Sequence, residues 1–322
     1  MKYLDRVYGE FEINDHIILE LIETPAMQRL KNIYSNGIYF YFYPEANNTK
    51  FEHSIGVWYL LKKFGASREE QIAGLLHDVS HKVFAHVIDY FYQTGVEENH
   101  QDSIHHNSVN RSEIKEILEK YQLKPEKISN FNNWQILDNE LPNICVDRLD
   151  YTLRDSEQIG WSDKNFCHQV LADLQVTEQS LVFSELEIAR KFGWLSLKMQ
   201  RDFWHTNWGN YAYQLMSNIL KYAIDKKFIS FDEFWLGDHQ MAEKLELFND
   251  DWINSKLKFL KNVRTEFIGN QENHDLVLQH KFRVVNPFVK NKRLTELDSD
   301  FKNMFEQIKT EANQGQYFLM NN

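Results

Sequence analysis

The pair His77–Asp78 closes an apolar run that begins at Ile72. Two titratable side chains at the end of a core-like segment cost free energy when they are buried, unless a hydrogen-bonded partner or a bound cation compensates them. Two further residues of the metal-ligand type, His53 and Asp147, stand on either side of the pair along the chain. The order His, His-Asp, Asp therefore predicts a metal site with four ligands from separate segments.

The types of these ligands indicate which metals to expect. His53, His77, Asp78 and Asp147 combine imidazole nitrogens with hard carboxylate oxygens, a set that suits Mn, Mg, Fe, Co, Ni or Zn. A site without thiolate is more typical of catalysis than of a structural role. The chain has only two cysteines, too few for a disulfide framework, and this favours a reducing, cytoplasmic location.

Composition narrows the class of protein and of partner. Of the 322 residues 14% are aromatic, and five are proline and twelve glycine, which is typical of a globular protein with a sizeable core. A net charge of −11 disfavours nucleic acid without excluding it, and makes a small nucleotide or phosphate ester the easier partner. No stretch approaches the ~20 apolar residues of a membrane span, so we expect no membrane partner.

Periodicity and capping residues predict a mainly α fold with small β-hairpins. Apolar alternation around polar turns predicts one hairpin within residues 1–15 and another after Asp173. Aromatic enrichment predicts extended backbone over 39–44. Ser67 and Glu70 form a capping-box pattern, in which each side chain caps the other's backbone, at the start of a helix.

The second half of the chain is also predicted to be mainly helical. We expect two or three helices between 184 and 267, a short strand at 282–285 and a helix over 294–312. The basic run 289–293 is interpreted as an exposed loop. We predict a core over residues 1–165 and a helical elaboration over 166–322, or one continuous domain.

Five segments of the chain carry a family resemblance. They are Glu23–Leu30, Lys50–Val57, Leu75–His81, Phe84–His86 and Asp147–Tyr151. In this order they are similar to the HD superfamily of metal-dependent phosphohydrolases, and within it they resemble the deoxynucleoside triphosphate triphosphohydrolase branch. The resemblance implies an HD-domain helical core, a divalent metal ion, hydrolysis of a nucleoside triphosphate to nucleoside and triphosphate, and a homo-oligomer.

The resemblance also implies roles for individual residues. The four ligand-type residues would hold the metal. His81, His86 and Asp89 are similar to a catalytic group beside it, in which a histidine positions water or protonates the leaving oxygen. A further catalytic histidine is matched by His105 or His106, and we assign it to His105. Substrate contacts are implied for Lys50, Arg148, Tyr151 and Asp155.

Several positions depart from the pattern of that branch. Lys50 and Asn207 each stand where the branch has an arginine, and Ser35–Asn36 stand where it has a glutamine and a leucine. Lysine can pair with phosphate but lacks the bidentate geometry of arginine. These departures keep two other functions open: a phosphodiesterase, nuclease or phosphatase that uses the same metal site, and a nucleotide-binding regulatory protein with little turnover.

Overall fold

The fold is mainly α-helical, which confirms the predicted fold class. The computed structural model describes residues 1–92, 100–110, 112–177, 180–262, 269–270 and 272–319. Within these ranges the β structure is confined to small sheets of two or four strands. No helix in the same ranges is long and apolar enough to cross a membrane.

The helices follow one another through short connections. In chain order they are α1 (His16–Ile22), α2 (Pro25–Arg29), α3 (Lys50–Lys63), α4 (Arg68–Leu76), α5 (Val87–Phe91), α6 (His100–Val109), α7 (Ser112–Lys120), α8 (Pro125–Ile128), α9 (Val146–Gln158), α10 (Lys164–Asp173), α11 (Leu186–Met199), α12 (Asn207–Asp225), α13 (Asp238–Leu247), α14 (Asp251–Leu260), α15 (Leu294–Leu297) and α16 (Ser299–Gln314). Single 3-10 turns lie at Leu30–Asn32, Gly37–Tyr41, Phe131–Asn133 and Phe231–Trp235, and a π-helical turn lies at Gln200–Trp204.

The strands of the described residues form three separate sheets. They are β1 (Lys2–Asp5), β2 (Gly9–Glu12), β3 (Leu174–Thr177), β4 (Ser180–Phe183), β5 (Leu276–Leu278), β6 (Phe288–Val289), β7 (Lys292–Arg293) and β8 (Gln316–Phe318). Antiparallel pairs join β1 to β2, β3 to β4, β5 to β8 and β6 to β7, while β4 and β6 are parallel. The C-terminal segment is thereby tied to the middle of the chain.

Several local predictions are confirmed. The hairpin β1–β2 turns at Gly9, whose φ of +81° suits a residue without a Cβ. Ser67 caps α4 by accepting a hydrogen bond from the Glu70 amide, 3.1 Å away. The hairpin β3–β4 lies where the sequence predicts it, whereas the single helix predicted over 294–312 is divided at Asp298 into α15 and α16. The basic run, interpreted as an exposed loop, is exposed at Lys290 and Lys292, but Val289 is buried in β6 and Lys292–Arg293 form β7.

Other predictions are wrong, and at Tyr39 and Glu70 a distant contact outweighs the local pattern. Residues 37–41 form a 3-10 turn instead of extended backbone, and the ring of Tyr39 packs on Phe203 at 5.3 Å. The Glu70 carboxylate does not complete the capping box, because it accepts hydrogen bonds from the backbone of residues 136–137. Residues 282–285 form no strand, and residues 184–262 hold four α-helices instead of two or three.

Three clusters of buried apolar side chains form the core. The first surrounds α3 and α4, and it includes residues on both sides of position 165, such as Leu153 and Phe192. The second surrounds α12, and the third lies between α11 and α16. The division of the chain at residue 165 stays a prediction. Gly56 lets α3 approach α9 closely, because a Cβ there would collide with the side chains of Asp150 and Arg154.

Candidate metal centre and active-site pocket

Three helix ends bring the predicted ligands together. His53 lies in the first turn of α3, which Thr49 and Glu52 begin with a complete capping box. His77 is the C-cap of α4, so that Asp78 follows in the irregular segment after the helix. Asp147 lies in the first turn of α9, where the partial positive charge of the helix N-terminus stabilises a carboxylate.

The ligand atoms of these residues converge. Nε2 of His53 lies 3.1 Å from Nε2 of His77 and 2.9 Å from Oδ1 of Asp147. Oδ2 of Asp78 lies 3.6 Å from the first of these nitrogens and 3.4 Å from the second. His53, His77 and Asp147 each offer an atom to one point, and they could hold a metal ion. Asp78 is close enough to complete the set.

Hydrogen bonds orient both imidazoles towards that point. Nδ1 of His77 donates to the carbonyl oxygen of Gly74 at 2.7 Å, and Nδ1 of His53 donates to Oδ2 of Asp150 at 2.7 Å. In the neutral rings, each Nε2 therefore presents a lone pair to the cluster. Oδ2 of Asp78 is buried, and its cationic neighbour among the described residues is the Lys50 ammonium at 3.0 Å. Facing lone pairs and a buried carboxylate oxygen fit a bound divalent cation.

The charges of the cluster favour a cation. Burial alone would raise the pKa of Asp147, but the His53 and His77 side chains hold it well below its ordinary value. Burial lowers the pKa of His53, yet its hydrogen bonds to Asp147 and Asp150 outweigh this and raise the pKa to about 9. The same negative charge that stabilises a proton on these imidazoles stabilises a metal ion between them.

A buried ionic network supports the ligand His53 from behind. Asp150 accepts hydrogen bonds from His53, from Tyr8 at 2.7 Å and from Nε of Arg154 at 2.8 Å. Arg154 also pairs with Asp5 at 3.0 Å, and both side chains are at most 1% exposed. The N-terminal hairpin thus contributes to the position of a ligand on α3. The sequence analysis missed Asp150, although its place three residues after Asp147 puts it on the same helix.

Changing Asp150 to asparagine is expected to weaken metal binding by about 10–100-fold, the usual cost of losing a carboxylate partner of a metal-bound histidine. The amide cannot supply the negative charge that raises the basicity of His53. Calorimetric titration of the metal-free protein with Mn²⁺ measures the effect. Glu126→Gln, a change of the same type at an exposed position, should bind metal as the wild type does. Equal affinity in both variants would contradict the assignment.

The predicted catalytic group lies beside the ligands. Nε2 of His81 lies 3.0 Å from Oδ1 of Asp78, and burial together with the charge of Lys50 lowers the pKa of His81 to about 4. The His86 ring lies edge-on to that of His81, and its Nδ1 is 3.6 Å from Oδ2 of Asp89. His81 is therefore neutral near pH 7, and His86 is the more exposed of the two rings.

Asp238 holds the segment between the two histidines in an unusual conformation. Phe84 and Ala85 have φ angles of +58° and +43°. Oδ1 of Asp238 accepts a hydrogen bond from the Phe84 amide at 2.7 Å, and Oδ2 accepts one from the Tyr34 amide at 2.8 Å. Burial raises the pKa of Asp238 to about 7. One carboxylate on α13 thus connects the segment after His81 to the segment before α3.

This shift predicts how stability depends on pH. The ordinary pKa near 3.8 applies to the unfolded chain, so between pH 4 and 7 the folded state binds more protons at Asp238. The contribution of Asp238 to the free energy of unfolding therefore falls as pH rises through this window, by at most about 4 kcal/mol. Urea unfolding of the wild type and of Asp238→Asn should show the wild-type advantage shrinking between pH 4 and 7. Parallel pH profiles would show that Asp238 does not titrate there.

The residues that are predicted to contact the substrate differ in the protein groups they already contact. Nζ of Lys50 lies 3.0 Å from Oδ2 of Asp78. The Tyr151 hydroxyl is buried and makes no hydrogen bond to the described residues, and its ring lies edge-on to Trp204 at 5.1 Å. Asp155 accepts hydrogen bonds from three side chains, namely those of Asn36, Asn48 and Trp204.

Arg148 is held in the pocket wall. Its guanidinium pairs with Asp138 at 3.1 Å and donates to the Asn139 side chain at 3.0 Å and to the Asn139 carbonyl oxygen. These contacts use much of its donor capacity before any substrate arrives. Asn207, at the start of α12, is not among the described residues that line the pocket.

One continuous pocket joins these groups. It is lined by the metal ligands, by Tyr151 and Trp204, and by Lys281 and Arg283, two cations that the sequence analysis missed. The available signal was the alternation of charged and apolar residues over 281–284. Every predicted site residue lines the pocket except Asp89, which lies behind His86, and His105, which is buried against Phe131 at 4.6 Å. The catalytic role of His105 stays a prediction.

Comparisons with known proteins agree with this fold and site. The HD-domain family model matches residues 51–155, the range that contains all four ligand residues. The chain belongs to the HD-domain family of metal-dependent phosphohydrolases. Its relatives include the uncharacterized protein YdhJ of Bacillus subtilis, which is 33% identical over 290 residues covering 90% of this chain and 88% of that protein.

Two further relatives have names that state an activity. The metal-dependent phosphohydrolase cns2 of Cordyceps militaris is 27% identical over 62% of this chain and 59% of its own length. The human deoxynucleoside triphosphate triphosphohydrolase SAMHD1 is 27% identical over 48% of this chain and 33% of its own length. A solved structure of a hypothetical protein from Aquifex aeolicus shares the fold, with a TM-score of 0.66 at 18% identity, covering 96% of this chain and 99% of that one.

Proposed function

We propose that this phosphohydrolase acts on a nucleotide, and that a nucleoside triphosphate, cleaved to nucleoside and triphosphate, is its substrate. The observation that carries the proposal is the single pocket in which a metal-ligand cluster, two histidines beside it and the aromatic pair Tyr151 and Trp204 all meet. A site for inorganic phosphate alone would need no aromatic wall. The relation to SAMHD1 supports the same substrate class.

The residues divide the chemistry among them. A divalent ion held by His53, His77, Asp78 and Asp147 would polarise a phosphate oxygen and lower the pKa of a water molecule. Lys50, beside Asp78, adds positive charge where negative charge is carried by the phosphate oxygens during the attack of water. His81 is neutral and can accept a proton, while His86 is more exposed, and Asp89 lies where its carboxylate can position that ring.

The part of the pocket wall formed by Tyr151 and Trp204 suits a sugar and a base. The Tyr151 hydroxyl can donate to or accept from a sugar hydroxyl, because it makes no hydrogen bond to the described protein groups. The indole of Trp204 donates to Asp155, which fixes its ring as a flat apolar wall. Polar atoms at one position and aromatic faces at the next are typical of nucleotide-binding sites.

A second candidate is hydrolysis of a phosphodiester or phosphomonoester. The contacts of Arg148 with Asp138 and Asn139 favour it, because they occupy a cation that the triphosphate would need. Asn207 also favours the second candidate, because it is uncharged where the triphosphohydrolase branch has an arginine. Both functions use the same metal ligands, and they differ only in which phosphate bonds the pocket accepts.

A screen of metals against substrates separates these functions. Purified protein is incubated with Mn²⁺, Mg²⁺, Co²⁺ or Ni²⁺ and with deoxynucleoside triphosphates, ribonucleoside triphosphates or phosphodiesters, and the products are resolved by chromatography. Intact triphosphate supports the proposal. Nucleotide released from a diester, or orthophosphate released from a monoester, supports the second candidate. Tight nucleotide binding without product overturns both and supports a regulatory protein. Cytoplasmic location and self-association stay predictions.

A further inference from the structure

We propose that Lys281 and Arg283 form an anion subsite within the active-site pocket, which binds phosphate groups of the substrate beyond the one at the metal centre. The segment 280–285 that carries them is called the strap below. The inference rests on the proposed function and deepens it, because it assigns substrates with at least two phosphate groups to this pocket. Nothing in the HD segments of the sequence points to the strap, which lies outside residues 51–155.

The alternation of side chains along the strap directs both cations into the pocket. Lys281 and Arg283 line it, whereas Phe282 and Val284 belong to the apolar cluster between α11 and α16. The Phe282 ring lies edge-on to that of Phe305 at 5.0 Å, and Val284 is fully buried. Because these residues alternate between the pocket and the apolar cluster, the apolar anchors on one side determine where the cations on the other side point.

A buried glutamine holds the strap in this register. Nε2 of Gln200 donates to the Lys281 carbonyl oxygen at 3.2 Å, and Oε1 accepts from the Arg283 amide at 3.0 Å. Oγ of Ser196 accepts from the Val285 amide at 3.2 Å. One side chain thus satisfies the backbone groups that a neighbouring strand would otherwise pair. These hydrogen bonds therefore hold the strap in place although it belongs to no strand.

Gln200 belongs to a π-helical turn. Gln200 begins the π-helical turn that ends at Trp204, and Trp204 lines the same pocket. A π-helical turn interrupts the regular periodicity of a helix and often occurs at functional sites. Here a single turn positions both the strap and an aromatic wall of the pocket.

The strap brings positive charge into the pocket. The charge of Arg283 acts on groups of three different elements, namely Tyr151 on α9, His205 after the π-helical turn and Asp89 on α5. In a chain of net charge −11, two added cations beside a metal centre suit a ligand with several negative charges.

Binding of inorganic tripolyphosphate tests the subsite without requiring turnover. The full-length protein, loaded with Mn²⁺, is titrated with tripolyphosphate and with orthophosphate in a calorimeter. In the double variant Lys281→Gln/Arg283→Gln, the tripolyphosphate affinity should fall by at least about 10-fold, since hydrogen bonds to charged groups are strong. The orthophosphate affinity should change little, because the metal centre binds that ion. Lys281→Arg should retain most of the tripolyphosphate affinity.

The matched control also removes two positive charges, but from an exposed turn that follows the strap in the sequence. Lys290→Gln/Lys292→Gln alters the exposed β6–β7 turn and should bind tripolyphosphate as the wild type does. An equal loss in the control would overturn the proposal, and so would unchanged affinity in the strap variant or a wild type that binds no tripolyphosphate. Circular dichroism and the Mn²⁺ affinity show whether each variant is folded and loaded.

Different experimental results would contradict the subsite and the proposed function. If the wild type hydrolyses nucleoside triphosphates, the strap variant should raise KM more than it lowers kcat, whereas loss of folded protein lowers the apparent kcat alone. If the wild type binds tripolyphosphate through the strap and hydrolyses no nucleotide, the proposed function is wrong and the subsite is supported. Hydrolysis of nucleoside triphosphates with normal KM in the strap variant overturns the subsite alone.

Discussion

Replacing Asp147 by alanine is expected to abolish metal binding and hydrolysis together. Its Oδ1 lies 2.9 Å from Nε2 of His53 and 3.5 Å from Nε2 of His77, so the change removes one of the two carboxylates at the centre of the cluster. Losing an indirect partner of a metal ligand already costs about 10–100-fold in affinity or activity, and a direct ligand should cost more. Metal content by mass spectrometry and phosphate-release assays measure both effects.

The design of the Asp147 experiment separates loss of metal from loss of fold. The Asp147 side chain is 26% exposed, against 4% for His53, so its removal should leave the surrounding core intact. Circular dichroism and thermal unfolding of the variant should therefore resemble those of the wild type. Glu140→Ala removes a neighbouring exposed carboxylate and should keep metal and activity. Hydrolysis by a metal-free Asp147→Ala protein would refute the assigned chemistry.

Replacing Arg154 by methionine is expected to lower the free energy of unfolding by about 3–5 kcal/mol, the usual cost of leaving buried charges without their partner. Arg154 pairs with Asp5 at 3.0 Å and with Asp150 at 2.8 Å, and all three side chains are at most 1% exposed. Without the guanidinium, the buried Asp5 carboxylate loses its ionic partner, and Asp150 keeps only its hydrogen bonds from His53 and Tyr8. Urea unfolding followed by circular dichroism measures the loss.

The Arg154 experiment has a control in the β1–β2 hairpin, which also carries the Arg154 partner Asp5. Lys2 pairs with Glu10 at 3.1 Å, but the two side chains are 69% and 61% exposed. Lys2→Met makes a comparable change at a solvent-exposed pair and should alter stability little. Arg154→Met should also weaken metal binding, because Asp150 then no longer holds His53 in the same orientation. Equal stability losses in the two variants would contradict the special role of the buried pair.

The sequence by itself determined the features that depend on neighbouring residues. The Gly9 turn, the Ser67 cap and the hairpin after Asp173 follow from local backbone preferences. The mainly helical fold and the family follow from patterns within short segments, and so does the order of the ligand-type residues. Three helix ends then bring those residues together, because α3, α4 and α9 pack with their apolar faces in one core.

Only the tertiary structure decided the features that depend on distant pairs. Arg154 meets Asp5, 149 residues earlier in the chain, and Gln200 meets Arg283, 83 residues later. The residues next to one member of such a pair in the sequence do not reveal the other member. The same reason explains the wrong predictions at 39–44 and 282–285, where ring packing and the Gln200 amide outweigh β propensity. Propensity acts between neighbours along the chain, whereas burial and ion pairing act between neighbours in space.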